Sequence, residues 1–109
     1  MKKAFCCLSR YNYRMAQIEV KKLQDFPQAA FEVTVKGNTV TRHTVTLVSQ
    51  YYEKLTSGAV SPEELVEESF AFLLAREPNT SILSGFNLMV ISKYYPGYER
   101  EMQIKFHPE

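Results

Sequence analysis

Tryptophan is absent, the only cysteines are the adjacent Cys6 and Cys7, and histidine occurs twice, at His43 and His107. Neighbouring cysteines rarely bridge each other, so the pair builds no disulfide framework and a reducing compartment, the cytoplasm, is the expected one. With no histidine or further cysteine nearby, the pair also lacks the ligand set of a zinc site. Four glycines are too few and too scattered for a phosphate-cradling loop; neither G-x-G-x-x-G nor G-x-x-x-x-G-K-[ST] occurs. There is no G-x-S-x-G elbow and no H-E-x-x-H pair. No apolar run approaches the roughly 20 residues of a membrane span. Ala4–Leu8 is too short and too weakly apolar for a secretory h-region. No catalytic residue, metal or cofactor is therefore expected, and the protein reads as a non-enzyme.

What is present is an ordinary globular composition. Of 109 residues, 45% are hydrophobic and 23% charged, which fits one domain with one core. Seven Tyr and seven Phe supply much of the apolar surface. The net charge of +1 hides an asymmetry. Residues 1–14 hold four basic residues, Lys2, Lys3, Arg10 and Arg14, and no acid; the rest has nine basic against 12 acidic residues, a net −3. An acidic body argues against a phosphate-binding surface.

Residues 1–14 lack periodicity, and patterning opens at Met15. One reading has translation begin at Met15; the other makes 1–14 a flexible basic tail. The domain is then 15–106, with His107–Glu109 a C-terminal tail. Three alternating stretches read as strands: Gln17–Lys22, Ala29–Lys36 and Val40–Val48. Asp25-Phe26-Pro27 marks the turn between the first two.

The register of the second hairpin follows from parity. Phe31, Val33, Val35, Val45 and Leu47 are all odd-numbered, and cross-strand partners share a face. A two-residue loop at 37–38 would split the two apolar sets between faces. An odd loop such as Gly37–Thr39 pairs Phe31 with Val45 and Val33 with His43, so a three-residue loop or a bulge is expected here.

Helices follow. Ser49 is expected to cap a short turn through Leu55, ended by Gly58. Ser61-Pro62-Glu63-Glu64 is a strong helix start, with Ser61 as N-cap, Pro62 in the first position and Glu64 completing a capping box. That helix should run to about Arg76, before Pro78. Leu65, Val66, Ser69, Phe70 and Leu73 form its buried stripe. Thr80 or Ser81 is expected to cap a turn, Gly85 to break it, and Asn87 to cap Leu88–Tyr95. Tyr98–Phe106 adds a last turn or short helix. The expected fold is α+β: a small antiparallel meander of about three strands, one main helix, and several short C-terminal helices.

Several residues could carry function. His43 falls on the apolar side of its strand, where a lone histidine is usually a packed residue with one hydrogen bond. Glu63, Glu64, Glu67 and Glu68 form an acidic patch that reads as a solvated helix face complementing the helix dipole. The tyrosines Tyr51, Tyr52, Tyr94, Tyr95 and Tyr98, with Lys54, Lys93 and Arg100 nearby, are candidates for partner contact, since Tyr and Arg are enriched in interfaces.

The segment Ser61–Glu101, with its R-E-P-x-x-S-I-L element at Arg76–Leu83, resembles a family of short uncharacterised bacterial proteins. The likeness extends from about Met15 and includes Tyr51-Tyr52-Glu53-Lys54-Leu55. It implies a bacterial cytoplasmic protein and no particular activity. A weaker resemblance is to ribbon-helix-helix regulators, with Arg42–Leu47 as the strand, Ser49–Leu55 and Ser61–Arg76 as the helices, and Arg42, Thr44 and Thr46 facing the DNA major groove. The first helix is about a turn short for that pattern, another strand precedes it, and Glu63, Glu64 and Glu67 would stand against DNA phosphate. The main expectation is a small binding or adaptor protein whose partner is protein, itself or another, with a homodimer as one form. A DNA-binding regulator is the alternative.

Overall fold

The computed structural model describes residues 17–37 and 39–106. The basic tail at 1–14, the start at Met15, the Cys6–Cys7 pair and the tail at 107–109 lie outside the described residues. Three antiparallel strands come first: β1 (Gln17–Gln24), β2 (Gln28–Lys36) and β3 (Val40–Val48). Phe31 pairs with Val45, Val33 with His43 and Lys36 with Val40, which leaves residues 37–39 as the loop, as the parity argument predicts. Phe31, Val33, Val35, Val45 and Leu47 are fully buried on one face of the sheet.

The meander is not the whole sheet. Gly85–Asn87 forms a fourth strand, β4, parallel to β3, so the order is β1-β2-β3-β4 and the sheet is mixed. A meander of about three strands is thus corrected to four strands. Three residues are too few for an alternating pattern to announce a strand. The outer edge of β3 supplies the reason for this one: its backbone groups need partners, and the Thr44 amide donates to the Ser84 carbonyl at 2.8 Å beside the ladder.

The helices cover the apolar face. Helix α1 (Ser49–Thr56) follows β3 without a break. Val48, not Ser49, occupies its N-cap position, with no side-chain cap. At its end Ser57 (φ 52°) and Gly58 (φ 78°) take left-handed backbone, where glycine is at ease. Helix α2 (Pro62–Leu74) starts as the sequence dictates, the Ser61 hydroxyl accepting the Glu64 amide at 3.1 Å. It closes short of Arg76 because the Arg76 and Glu77 amides both turn back onto the Leu73 carbonyl at 2.9 Å. Leu65, Val66, Ser69, Phe70, Phe72 and Leu73 are buried.

The last third differs from the expected layout in two places. The 3-10 turn Asn79–Ser81 has Pro78 in the N-cap position, so neither Thr80 nor Ser81 caps it. Leu88–Tyr95 is not one helix: a 3-10 turn at Leu88–Val90, capped by Asn87, leads into α3 (Ile91–Tyr94). Helix α4 (Tyr98–Phe106) presents Tyr98, Met102 and Phe106 to the core, the i, i+4, i+8 spacing of one helical face. Among the described residues, no helix is long and apolar enough to cross a membrane.

Candidate functional site

The five candidate tyrosines are distributed, not gathered. Tyr98 is fully buried. Its hydroxyl lies 2.6 Å from Ser69 Oγ, and the single Ser69 proton goes to the Leu65 carbonyl at 2.8 Å, so Tyr98 is the donor. Tyr51 is also buried; its hydroxyl donates to Glu99 Oε2 at 2.8 Å while Lys54 pairs with Glu99 Oε1 at 3.1 Å. The Tyr51 hydroxyl, and then Lys54, hold the Glu99 carboxyl below its ordinary range. Burial pushes both Tyr51 and Tyr98 above the ordinary phenol range. Tyr52 closes the connection between α1 and α2, donating to the Val60 carbonyl at 2.6 Å. Tyr51 and Tyr98 lie in the core, and Tyr52 is half-buried against it.

Tyr94 and Tyr95 meet at a surface groove of about 380 Å³. Its floor is apolar and comes from three elements: Leu73 of α2, Phe86 of β4 and Ile91 of α3, with Ile82 from the preceding loop. Leu83 and Tyr94 form an exposed rim, at 49% and 67% exposure. The Tyr95 ring stands edge-on to Phe72, centroids 5.8 Å apart, and its hydroxyl donates to Glu77 Oε2 at 2.9 Å. That bond raises the Tyr95 phenol above its ordinary value. Among the described residues no ion pair uses Glu77; the neighbouring Arg76 turns to Glu101 at 3.4 Å and lies over the Phe72 ring at 3.6 Å. The groove thus joins apolar walls to a carboxylate partnered by a neutral hydroxyl.

The rim is anchored from inside the sheet. His43 is 2% exposed, and its Nδ1 lies 2.7 Å from the Leu83 carbonyl. A carbonyl only accepts, so Nδ1 carries the proton. In the neutral ring Nε2 then accepts from Thr41 Oγ1 at 2.9 Å, and Thr41 in turn accepts from Asn79 Nδ2 at 3.0 Å. The expectation is one bond for His43; it has two, because Thr41, two residues away, shares its face of the strand. The Phe70 ring packs between His43 (5.4 Å) and Phe86 (6.0 Å), so the groove floor rests on the same interior stack.

Arg42, Thr44 and Thr46 lie on the opposite sheet face, Arg42 and Thr44 exposed and Thr46 half-buried. Thr44–Thr46 already pairs with Gly85–Asn87, whereas a ribbon-helix-helix dimer pairs along such an edge. In the acidic patch, Glu68 pairs with Lys105 at 3.3 Å. Among the described residues, no group of three or more His, Cys, Asp or Glu side chains is placed to hold a metal ion.

Glu77, Ser81, Ile82 and Leu83 were not candidates by chemistry, yet they line the groove and all belong to the R-E-P-x-x-S-I-L element. That element was the available signal. Nothing in the sequence pointed to Phe86 or Ile91. Comparison with protein-family models, curated proteins and solved structures finds no match to this chain.

Proposed function

We propose that the protein acts by binding, and that the groove between Leu83 and Tyr94 takes a segment of a partner protein presenting an apolar side chain beside a lysine or arginine. The observation that carries the reading is Glu77: a carboxylate at an apolar groove, with a tyrosine hydroxyl and no cation among the described residues on it. An apolar side chain would cover the Leu73, Phe86 and Ile91 floor, and the adjoining cation would complement the acid. Exposed Leu83 and Tyr94 supply the amphipathic rim common in protein contacts.

The test is a titration of isotopically labelled protein with two capped dipeptides, acetyl-Leu-Lys-amide and acetyl-Leu-Glu-amide, followed by amide chemical shifts. The lysine peptide should perturb Leu83, Phe86 and Tyr94 and bind about two- to fivefold more tightly than the glutamate peptide, a preference that Glu77→Gln removes. Equal affinity for the two peptides, or perturbations centred away from the groove, would overturn the reading.

A further inference from the structure

Among the described residues, strand β1 is an outer strand of the sheet, and its own sequence is suited to pair with itself. We propose that two copies of this chain associate through β1, antiparallel about a two-fold axis at Val20, to make one continuous eight-stranded sheet. The proposal stands apart from the groove, on the other side of the sheet order from β4.

Two geometric rules select the register. Successive residues of a strand point their backbone groups to opposite sides and their side chains to opposite faces. A self-pairing that keeps both helical layers on one side must therefore match even with even and odd with odd, which centres it on a residue. Centred on Glu19, it sets Glu19 against its own copy. Centred on Lys21, it sets Lys21 against its own copy. Centred on Val20, it sets Glu19 opposite Lys21 of the second copy, twice by symmetry, with Val20 against Val20 and Ile18 against Lys22. Only this central register has two opposite-charge pairs and no like-charge pair.

The surroundings are compatible with it. Ile18 and Val20 face the core side, opposite Val35 and Val33, and are only half-buried at the sheet margin, so a second copy would cover them. Lys22 turns its ammonium back to Asp25 at 3.3 Å, leaving its aliphatic stem for Ile18. Lys36 takes one Glu19 oxygen at 3.0 Å, so a second lysine would complete a small alternating array. The break in register between Lys22 and Gln24 limits the ladder to residues 18–22.

Reciprocal charge variants of the full chain test this. Light scattering after size exclusion should show a dimer for the parent. Glu19→Lys sets lysine against lysine, and Lys21→Glu sets glutamate against glutamate. Each alone should raise the dimer dissociation constant by about tenfold or more. An equimolar mixture of the two should form a heterodimer about as tight as the parent, because both pairs are then opposite in sign. Thermal unfolding of each variant checks that it is folded. A monomeric parent, variants that dimerise as well as the parent, or a mixture that stays monomeric would overturn the proposal.

Discussion

The His43 imidazole donates from Nδ1 to the Leu83 carbonyl at 2.7 Å across a separation of 40 residues, tying the buried face of the central strand to the exposed rim of the groove. The loop that carries Leu83 is thereby fixed at two neighbouring points, since the Thr44 amide holds the Ser84 carbonyl. A replacement that keeps an aromatic ring but neither nitrogen removes this bond together with the one from Thr41 Oγ1. His43→Phe should lower unfolding free energy in urea by about 1–3 kcal/mol, the cost of leaving a buried acceptor unpaired, and should speed hydrogen exchange at Thr44. An unchanged urea midpoint would show that the two bonds together contribute nothing.

Asn79 braces the β2–β3 hairpin from outside it. Its Nδ2 donates to the Thr39 carbonyl at 2.8 Å and to Thr41 Oγ1 at 3.0 Å. Asn79→Ala removes these two bonds and the longer contact to the Val35 carbonyl at 3.5 Å, and should cost about 1–3 kcal/mol. Asn79→Asp should cost more, because a carboxylate oxygen would then face the Thr39 carbonyl. Chemical denaturation of both variants decides the order; an aspartate variant as stable as the alanine one would show that the donor is not what matters.

Tyr98 combines a large buried ring with one hydrogen bond. Tyr98→Phe keeps the ring, edge-on to Phe72 at 5.3 Å, and loses only the donation to Ser69, a change of about 0.5–1.5 kcal/mol. Tyr98→Ala opens a cavity and should cost about 3–5 kcal/mol. Similar losses in the two variants, read from urea midpoints, would contradict this division.

The Tyr51–Glu99–Lys54 cluster makes stability depend on pH at both ends. Glu99 is held below its ordinary value of 4.5, first by the Tyr51 hydroxyl and then by Lys54. Its contribution is therefore present above that value and lost as pH falls through the lower folded value. Tyr51 and Tyr98 are raised above the ordinary 10.0, chiefly by burial. Their contribution is present below 10.0 and lost as pH rises beyond it. Unfolding free energy should fall as pH drops below about 4.5, less steeply in Glu99→Gln, and fall again in alkali above about pH 10, less steeply in Tyr51→Phe. Parallel curves for parent and variants would remove the cluster from the account.

The sequence alone determined the elements whose signals are local. Alternating Phe31, Val33 and Val35 against Val45 and Leu47 sufficed for the hairpin register, because a slip by one residue would turn an apolar face to water. Ser61 and Pro62 sufficed for the start of α2, because the helix's first amides must find acceptors nearby. Tertiary structure decided the rest. Gly85-Phe86-Asn87 is a strand only because β3 offers it an edge. Five chemically identical tyrosines range from buried (Tyr51, Tyr98) through half-buried (Tyr52, Tyr95) to exposed (Tyr94) according to which elements surround them. Leu73, Leu83 and Phe86 meet at one groove because α2, the His43-anchored loop and β4 converge there, and no spacing along the chain encodes a distance between elements that only packing brings together.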